Sequence, residues 1–388
     1  MDVSQLPIAH DPPATHPDVF IAGGGPAGLA AAIAAAQRGL TVEVADGMQP
    51  PIDKACGEGL LPDTIEALAQ LGIELSTAES APFHGIRFLT TTPSGERLTT
   101  EAIFPTGTGR GIRRPILHQL LVDRATALGV RLSWQTVVQS IEPGQGTVRT
   151  NRHTIHPRFI IGADGHQSRI RTWAGLDRAA ITARRLALRQ HFAIEPWSPY
   201  VEVYWSDHGQ AYVTPIASNE ICAAFIAHRK LPSIAAALSH FPDLQHHLVS
   251  ATPTSTLRGA ITLSRKLHRV THKNIALIGD ASGSVDAVTG EGLGLCFRQA
   301  LAVGEALSAN NLAQYQQSHL ALQRLPQFMG RTMLLLDSHP FLRNRTLRVL
   351  QRRPQLFEHM LRVHVGQAPI RFFGSTGLLA AGAHILAG

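Results

Sequence analysis

The first strong pattern of hydrophobic positions is a run of four apolar residues, Val19–Ala22, followed by glycines and an alanine-rich stretch over residues 27–38. Residues 41–44 form a second run of strand type, which ends at Asp46. Short apolar runs bounded by turn residues are typical of strands, and a longer apolar stretch is typical of a helix. The pattern therefore predicts a strand–turn–helix–strand unit.

The turn of this unit carries candidate chemistry. Gly23, Gly25 and Gly28 have the GxGxxG spacing, which permits a tight turn, a close approach to a pyrophosphate and close helix–strand packing. Asp46 lies 23 residues after the first glycine, where a carboxylate can accept hydrogen bonds from a ribose. We predict a dinucleotide-binding unit, with a plain alanine-rich core helix as the alternative. The sequence contains no second GxGxxG, so a second dinucleotide has no dedicated fold.

A different period appears in the middle of the chain. Residues 83–104 and 185–229 alternate between apolar and polar positions, as half-buried strands do. Within 185–229, Leu188 and its even-numbered neighbours face one way, while Arg189 and His191 face the other. These segments predict an antiparallel sheet inserted into the α/β unit. From about residue 311 the sequence predicts helices that carry many arginines.

Composition narrows the class of protein. The chain has 388 residues, of which 44% are hydrophobic and 16% charged, so a disordered chain and a coiled coil are excluded. Three cysteines exclude a disulfide framework and favour a reducing compartment, and no secretory signal precedes the first strand, so we expect a cytoplasmic protein. The net charge is +7, but the basic residues are dispersed, and we expect no nucleic-acid partner.

Two further motifs place an acid at the end of an apolar run. Residues 158–161 lead into Asp164 and Gly165, and residues 274–278 lead into Gly279 and Asp280. Ligands of α/β sheets bind at the carboxyl ends of the strands. The Gly-Glu-Gly sequence at 290–292 then begins a helix, whose first N–H groups favour a negatively charged ligand.

With GxGxxG at 23–28, the DG motif at 164–165 and the GD motif at 279–280, the chain resembles the group A flavoprotein monooxygenases, which have the hydroxybenzoate-hydroxylase fold. It also resembles their relatives, the geranylgeranyl reductases and flavin-dependent halogenases. The resemblance covers residues 18–325. It implies an α/β protein with a Rossmann-like FAD-binding fold, an inserted antiparallel β-sheet substrate domain and a helical C-terminus. The implied cofactor is FAD, with NADH or NADPH as transient reductant.

The predicted domain boundaries follow from these motifs. They are a flexible tail over 1–18, FAD-binding segments over 19–82, 106–180 and 263–325, substrate-domain segments over 83–105 and 181–262, and a helical region over 326–388.

The resemblance implies a set of FAD contacts. The pyrophosphate is implied to contact Gly23, Gly25, Ala27 and Gly28, the ribose to contact Asp46, and the adenine to contact Val138 in a strand over 133–139. The flavin is implied to contact Arg114, or Arg113 beside it, and the ribityl chain is implied to contact Asp280. The edge of the flavin is implied to contact Gly290, Gly292 and Leu293. Asp164 is implied to bridge FAD and the nicotinamide-nucleotide groove, with a carboxylate that caps the next turn as the alternative.

The candidate substrate site is less well defined. Cys56, Arg189 and Tyr204 are candidate substrate contacts, and Glu58, His191 and Tyr212 are candidate catalytic residues, with either His191 or Tyr212 as a base for a phenol proton. For each of them a packing role or a surface position is the alternative. We find no metal-ligand set and predict no metal.

The favoured reaction is NAD(P)H-dependent monooxygenation of an aromatic or phenolic substrate, which the resemblance implies takes place through O₂ and a C4a-hydroperoxyflavin. The alternative is a geranylgeranyl-reductase-like reduction of an isoprenoid C=C bond. The sequences of loop 286–293 and of segment 54–60 resemble the corresponding segments of the geranylgeranyl reductases more closely than those of the monooxygenases. A halogenase and a non-enzymatic escort protein are weaker alternatives.

The end of the chain raises a question of location. Residues 372–388 carry no charge and follow a net-positive region. We predict that they pack as a last core helix against the FAD-binding unit. The alternative is peripheral contact with the inner membrane face through the C-terminus.

Overall fold

A computed structural model describes residues 16–229 and 231–368. Its strands are β1 (Val19–Ala22), β2 (Val42–Asp46), β3 (Gly59–Leu60), β4 (Ser80–Phe83), β5 (Gly85–Thr91), β6 (Arg97–Ile103), β7 (Gly109–Ile112), β8 (Arg131–Trp134), β9 (Val138–Glu142), β10 (Thr147–Thr150), β11 (Thr154–Ile155), β12 (Phe159–Gly162), β13 (Ala179–Ala193), β14 (Tyr200–Ser206), β15 (Gly209–Ala217), β16 (Glu220–Ala227), β17 (Thr252–Pro253), β18 (Arg258–Leu267), β19 (Thr271–His272) and β20 (Ile275–Leu277). Its α-helices are α1 (Pro26–Ala36), α2 (Pro62–Gln70), α3 (Arg114–Ala127), α4 (Arg169–Trp173), α5 (Ile234–Leu238), α6 (Pro242–Leu248), α7 (Gly292–Ser308), α8 (Leu312–Ser338), α9 (Pro340–Arg352) and α10 (Pro354–His364).

The first sheet has the order β19–β20–β12–β1–β2–β8, and its strands are parallel except for β19. Every residue of β1 and β12 is buried, which explains why these two strands read as uninterrupted apolar runs. Helix α1 is buried along almost its whole length because it packs against α3 and α7 as well as the sheet. This is the predicted Rossmann-like unit.

The second large sheet has the order β17–β13–β16–β15–β14–β5–β6, with β18 also paired to β13. Its neighbours are antiparallel except for β5 and β14, which run parallel. The early strands β5 and β6 therefore extend a sheet that is otherwise built from residues 179–267. Both the antiparallel sheet and the α/β class are confirmed.

The C-terminal helices cover one end of this sheet. Helices α9 and α10 pack on β6, where the side chains of Leu347, Leu350, Phe357 and Leu361 join an apolar cluster with Phe83. The helical C-terminus is thus confirmed over the described residues. In residues 16–229 and 231–368, no helix is both long enough and apolar enough to cross a bilayer. The segment 372–388 lies outside the described residues, so both interpretations of it stay predictions. Residues 1–15 of the tail predicted over 1–18 also lie outside them, and the flexibility of that tail stays a prediction.

One predicted strand is wrong. Residues 133–139 do not form a single strand, because β8 ends at Trp134 and β9 begins at Val138. Gln135 between them has a φ of +54°, in the left-handed region, which turns the chain out of the first sheet. Val138 therefore begins a separate three-stranded sheet, β9–β10–β11.

Candidate active site

A cavity of about 420 Å³ lies between the two large sheets and the C-terminal helices. Its wall is formed by the glycine turn before α1, the segment before β3, one face of the second sheet, the loop before α7, and parts of α8 and α10. The cavity thus joins the carboxyl ends of the parallel strands to the sheet predicted to hold substrate.

The glycine turn is shaped by close backbone contacts. Gly23 has a φ of +112°, and a Cβ there would lie 2.4 Å from the carbonyl oxygen of Ala163. A Cβ on Gly28 would lie 1.8 Å from the carbonyl oxygen of Gly23. Gly25 faces open space, and α1 begins after it with no side-chain cap. The first N–H groups of α1 are therefore left for a ligand, as a pyrophosphate site requires.

Two carboxylates sit at the ends of parallel strands. Asp46 accepts hydrogen bonds from the backbone N–H groups of Gly24 at 2.7 Å and Met48 at 2.8 Å, so it stabilises the turn. Asp164 accepts from the N–H groups of Arg169 at 2.7 Å and Ile170 at 3.1 Å, which is the capping role given as its alternative. Only its Oδ2 caps: Oδ1 is buried and has no hydrogen-bond partner among the described residues.

The two adjacent arginines differ in direction. Arg114 lines the cavity, and its buried Nε has no partner in the part of the chain that is described. Arg113 forms an ion pair with Glu220 and donates to Thr254 Oγ1 at 3.1 Å. Arg113 is therefore wrong as a flavin contact, because its guanidinium is held by the edge of the second sheet.

The loop before α7 is open towards the cavity. Cβ atoms built on Gly290 and Gly292 would meet nothing within 4 Å, and α7 begins at Gly292 with no side-chain cap. Leu293 and Asp280 also line the cavity, and Asp280 lies 3.2 Å from His166 Nε2. Open glycines, free helix N–H groups and the unpartnered polar atoms of Asp164 and Arg114 are what an FAD molecule would fill, so the residues present fit this cofactor.

A buried charge network holds this loop against the second sheet. Arg185 on β13 pairs with Asp286 and donates to Asp337 Oδ2 of α8 at 3.1 Å. Tyr212 on β15 donates its hydroxyl to the carbonyl oxygen of Val288 at 2.7 Å, and burial raises the pKa of that phenol. Tyr212 lines the cavity with its hydroxyl bound to the loop, and its role as a base stays a prediction.

Glu58, one of the candidate catalytic residues, lines the cavity, and His191 lies behind it. His191 Nε2 is 2.6 Å from Glu58 Oε2, and His191 Nδ1 is 2.8 Å from Ser255 Oγ. Both ring nitrogens are thus occupied, and His191 is not part of the cavity lining. His191 therefore reaches the cavity only through Glu58, and its catalytic role stays a prediction. Arg189 and Cys56 both line the cavity, and Arg189 also pairs with Asp53.

Tyr204 lies on the opposite face of its strand. Its neighbour Val203 lines the cavity, whereas Tyr204 donates its hydroxyl to Glu202 Oε2 at 2.5 Å and packs in a separate apolar cluster. Successive side chains of a strand point to opposite faces, so Tyr204 and Val203 cannot both face the cavity. Tyr204 is wrong as a substrate contact.

The sequence profile of the FAD binding domain family matches residues 16–320. The chain belongs to this family. It is 27% identical over 326 residues to a menaquinone reductase of Mycolicibacterium smegmatis, which covers 78% of each chain. It is also 27% identical over 326 residues to digeranylgeranylglycerophospholipid reductase 1 of Methanopyrus kandleri, which covers 77% of this chain and 84% of the relative.

Solved structures agree on the fold. A flavoprotein/dehydrogenase from Cytophaga hutchinsonii superposes with a TM-score of 0.79 at 16% identity over 96% of this chain and 99% of the other. The flavin-dependent brominase Bmp2 superposes with a TM-score of 0.73 at 17% identity over the same shares. This member of the FAD binding domain family is an FAD-dependent oxidoreductase.

Folding also brings together a buried cluster in this flavoprotein. Glu58, His191 and Cys222 place potential ligand atoms within 4.8 Å of one another. The Nε2–Oε2 distance of 2.6 Å is a hydrogen bond, whereas two ligands of a tetrahedral zinc would be about 3.3 Å apart. Burial also raises the pKa of the Cys222 thiol, which disfavours the thiolate that a metal would need. The geometry is thus that of a hydrogen-bonded glutamate–histidine pair, and the absence of a metal stays a prediction.

A second glutamate–histidine pair borders the cavity, and the sequence analysis missed it. Glu291 is the N-cap residue of α7, and its Oε1 lies 3.9 Å from Nδ1 of His364, which lines the cavity from α10. Both carboxylate oxygens and His364 Nδ1 are buried with no hydrogen-bond partner among residues 16–229 and 231–368. The Gly-Glu-Gly sequence was the available signal for Glu291, but nothing in the sequence marked His364.

Proposed function

We propose that this flavoprotein reduces a C=C bond in the isoprenoid chain of a lipophilic substrate. The observation that carries the proposal is the apolar wall of the cavity opposite the glycines of the FAD site. The wall residues come from the N-cap of α2, from β4, from β5 and β14 of the second sheet, and from α8 and α10: Leu61, Phe83, Ile86, Phe88, Val201, Val203, Met329, Met333, Phe357, Met360 and Leu361. A wall of this kind suits a chain of methyl-branched hydrocarbon, because burial of apolar surface is its main binding energy.

The relatives support the same choice. Both curated relatives reported above are named as reductases, and a digeranylgeranyl lipid carries isoprenoid chains. The sequence alone favours hydroxylation, with reduction as the alternative because loop 286–293 resembles that of the geranylgeranyl reductases. The apolar wall from α8 and α10, which the sequence could not place, moves our preference to reduction.

The protein's own residues would then do three things. The uncapped start of α7 favours negative charge at the cofactor edge, since free N–H groups and the helix dipole face it. The apolar wall keeps water away from the reacting carbons. A proton donor on the cavity has to complete the reaction. FAD, when bound and reduced, supplies the hydride.

The reductant of the cofactor is a separate proposal. NADH or NADPH would bind transiently, and the unpartnered Oδ1 of Asp164 is the group that supports a second nucleotide contact at this edge. Reduction of the bound flavin by NADH, NADPH and dithionite in parallel, followed by absorbance, distinguishes a nicotinamide-dependent enzyme from one served by another donor.

Product analysis tests the reaction. FAD-loaded protein is reduced with dithionite under argon and given a short-chain menaquinone or a digeranylgeranyl glycerolipid. We expect a product that, once any quinol has been reoxidised to quinone in air, has gained two hydrogen atoms in its isoprenoid chain and no oxygen. A phenolic product labelled from ¹⁸O₂, formed only when oxygen is admitted, would establish hydroxylation instead.

A matched pair of variants tests the wall. Met333→Trp adds bulk to the cavity from α8, whereas Met48→Trp adds the same bulk at a residue that is 54% exposed. We expect Met333→Trp to raise the KM for the digeranylgeranyl glycerolipid about tenfold or more and Met48→Trp to leave this KM unchanged.

A further inference from the structure

The Glu291–His364 pair sits where the FAD site and the apolar wall meet. Glu291 lies between Gly290 and Gly292, both of which line the cavity, and its residue is only 3% exposed. His364 is 7% exposed and reaches the cavity from the last helix described, α10. A buried carboxylate and a buried imidazole without hydrogen-bond partners are costly to keep. A ligand or a proton transfer is the usual reason for such a pair.

The orientation of the ring assigns the roles. His364 Nδ1 is the nitrogen that faces Glu291, at 3.9 Å, so Nε2 is the nitrogen left for the cavity. A carboxylate behind one ring nitrogen orients an imidazole and stabilises its protonated form, while the other nitrogen exchanges a proton with the substrate. The 3.9 Å gap exceeds a hydrogen bond, and such gaps in ligand-free sites commonly close on binding.

Other charges act on the pair. Asp63 of α2 and Arg298 of α7 form an ion pair beside Glu291. Burial raises the pKa of the Glu291 carboxyl, while His364 and Arg298 act to lower it and Asp63 to raise it. The pKa of the carboxyl thus depends on the charge of the neighbouring imidazole as well as on burial.

We propose that His364 is the catalytic proton donor of this cavity and that Glu291 is the positioning residue that holds its ring. The proposal rests on the proposed function. The C=C π bond breaks, one carbon receives the hydride from reduced FAD, and the other carbon receives the proton from Nε2 of the imidazolium. His364 is left neutral and recovers its proton from solvent.

Kinetics of variants give the first test, with dithionite as donor and a digeranylgeranyl glycerolipid as probe under argon, and the saturated lipid is quantified. We expect His364→Gln to lower kcat about 100-fold or more and to change KM less than threefold, because a general acid acts in the transition state. Glu291→Gln should lower kcat by less, and His359→Gln, on the same helix but outside the cavity lining, should match the wild type.

A spectroscopic readout separates this proposal from the proposed function. In ¹³C-carboxyl-labelled, FAD-loaded protein, the Glu291 signal is assigned by its loss in Glu291→Gln and titrated. Because His364 lowers the pKa of this carboxyl, His364→Gln should raise it further. An unchanged pKa of Glu291 in His364→Gln would overturn the proposed roles of Glu291 and His364. A wild-type kcat in a folded His364→Gln or His364→Asn protein would overturn them as well. If the pKa of Glu291 shifts in His364→Gln but the wild type reduces no alkene, the proposed reductase function is refuted and the interaction between Glu291 and His364 stands.

Discussion

Two glutamate–histidine pairs border one cavity, and they differ in how far their hydrogen bonds are satisfied. In the Glu58–His191 pair, the carboxylate and the ring are 2.6 Å apart and Ser255 takes the second ring nitrogen. In the Glu291–His364 pair, the nearest atoms are 3.9 Å apart and the facing atoms lack partners among the described residues. The residue types are the same, so the difference lies in the surroundings.

The difference teaches where the chemistry is to be sought. A satisfied buried network fixes a structure, and its members are costly to remove. An unsatisfied pair costs stability in the resting protein and gains partners only from a ligand or a transferred proton. We therefore assign Glu58 and His191 to the shape of the cavity and Glu291 and His364 to its reaction.

The largest effect on stability is expected at the satisfied pair. Glu58→Ala leaves the buried His191 without its carboxylate and leaves the buried Arg189 with Asp53 alone, and it should lower the free energy of unfolding by about 3–5 kcal/mol. Urea unfolding of the FAD-loaded protein measures it, with Glu66→Ala on the exposed side of α2 as the control. A loss below about 1 kcal/mol would contradict the contrast between the pairs.

At the Glu291–His364 pair, whose facing atoms lack hydrogen-bond partners among the described residues, a substitution should stabilise the protein, and the gain should depend on pH. The pKa of Glu291 is raised in the folded protein above its ordinary 4.5, so folding binds a proton and the wild type loses stability as pH rises from 4.5 through the folded pKa. Glu291→Gln abolishes this loss. Its stability relative to the wild type should rise across that window, by on the order of 1 kcal/mol. Urea unfolding at several pH values checks the sign, and a falling difference would refute it.

The smallest effect is expected behind the satisfied pair. Ser255→Ala removes the hydroxyl that binds His191 Nδ1 at 2.8 Å, and it should cost about 1 kcal/mol of unfolding free energy. Because this hydroxyl only supports a structural pair, kcat and its pH profile should stay as in the wild type. The exposed Ser239→Ala is the control, and a changed pH profile for Ser255→Ala alone would give the Glu58–His191 pair a part in proton transfer.

Much of the fold could be predicted because local pattern and tertiary structure agree. The apolar run before Gly23 became β1, and the alanine-rich stretch became α1, since both are buried on every side. The alternation around Arg189 correctly indicated a strand of the second sheet. The break at Gln135 could not be predicted, because a left-handed residue other than glycine leaves no clear signal.

The site was predictable only where one segment carries it. The glycines and acids of the FAD site lie in short motifs, and the structure places most of them around one cavity. A strand pattern gives the period of a face but not which face is chosen, so Tyr204 was placed on the wrong side. His364 comes from a helix whose position depends on packing against β6, and no local pattern could join it to Glu291.

The most direct test of the central claim is rapid mixing of FAD-loaded protein, reduced with one equivalent of dithionite, with a digeranylgeranyl glycerolipid, which has no quinone ring, in the absence of oxygen. The flavin absorbance is followed, and the lipid is then extracted and weighed by mass spectrometry. We expect the oxidised flavin spectrum to return on mixing, with one C=C bond of the isoprenoid chain saturated. A flavin that stays reduced until oxygen is admitted, with oxygen then found in the product, would contradict the account.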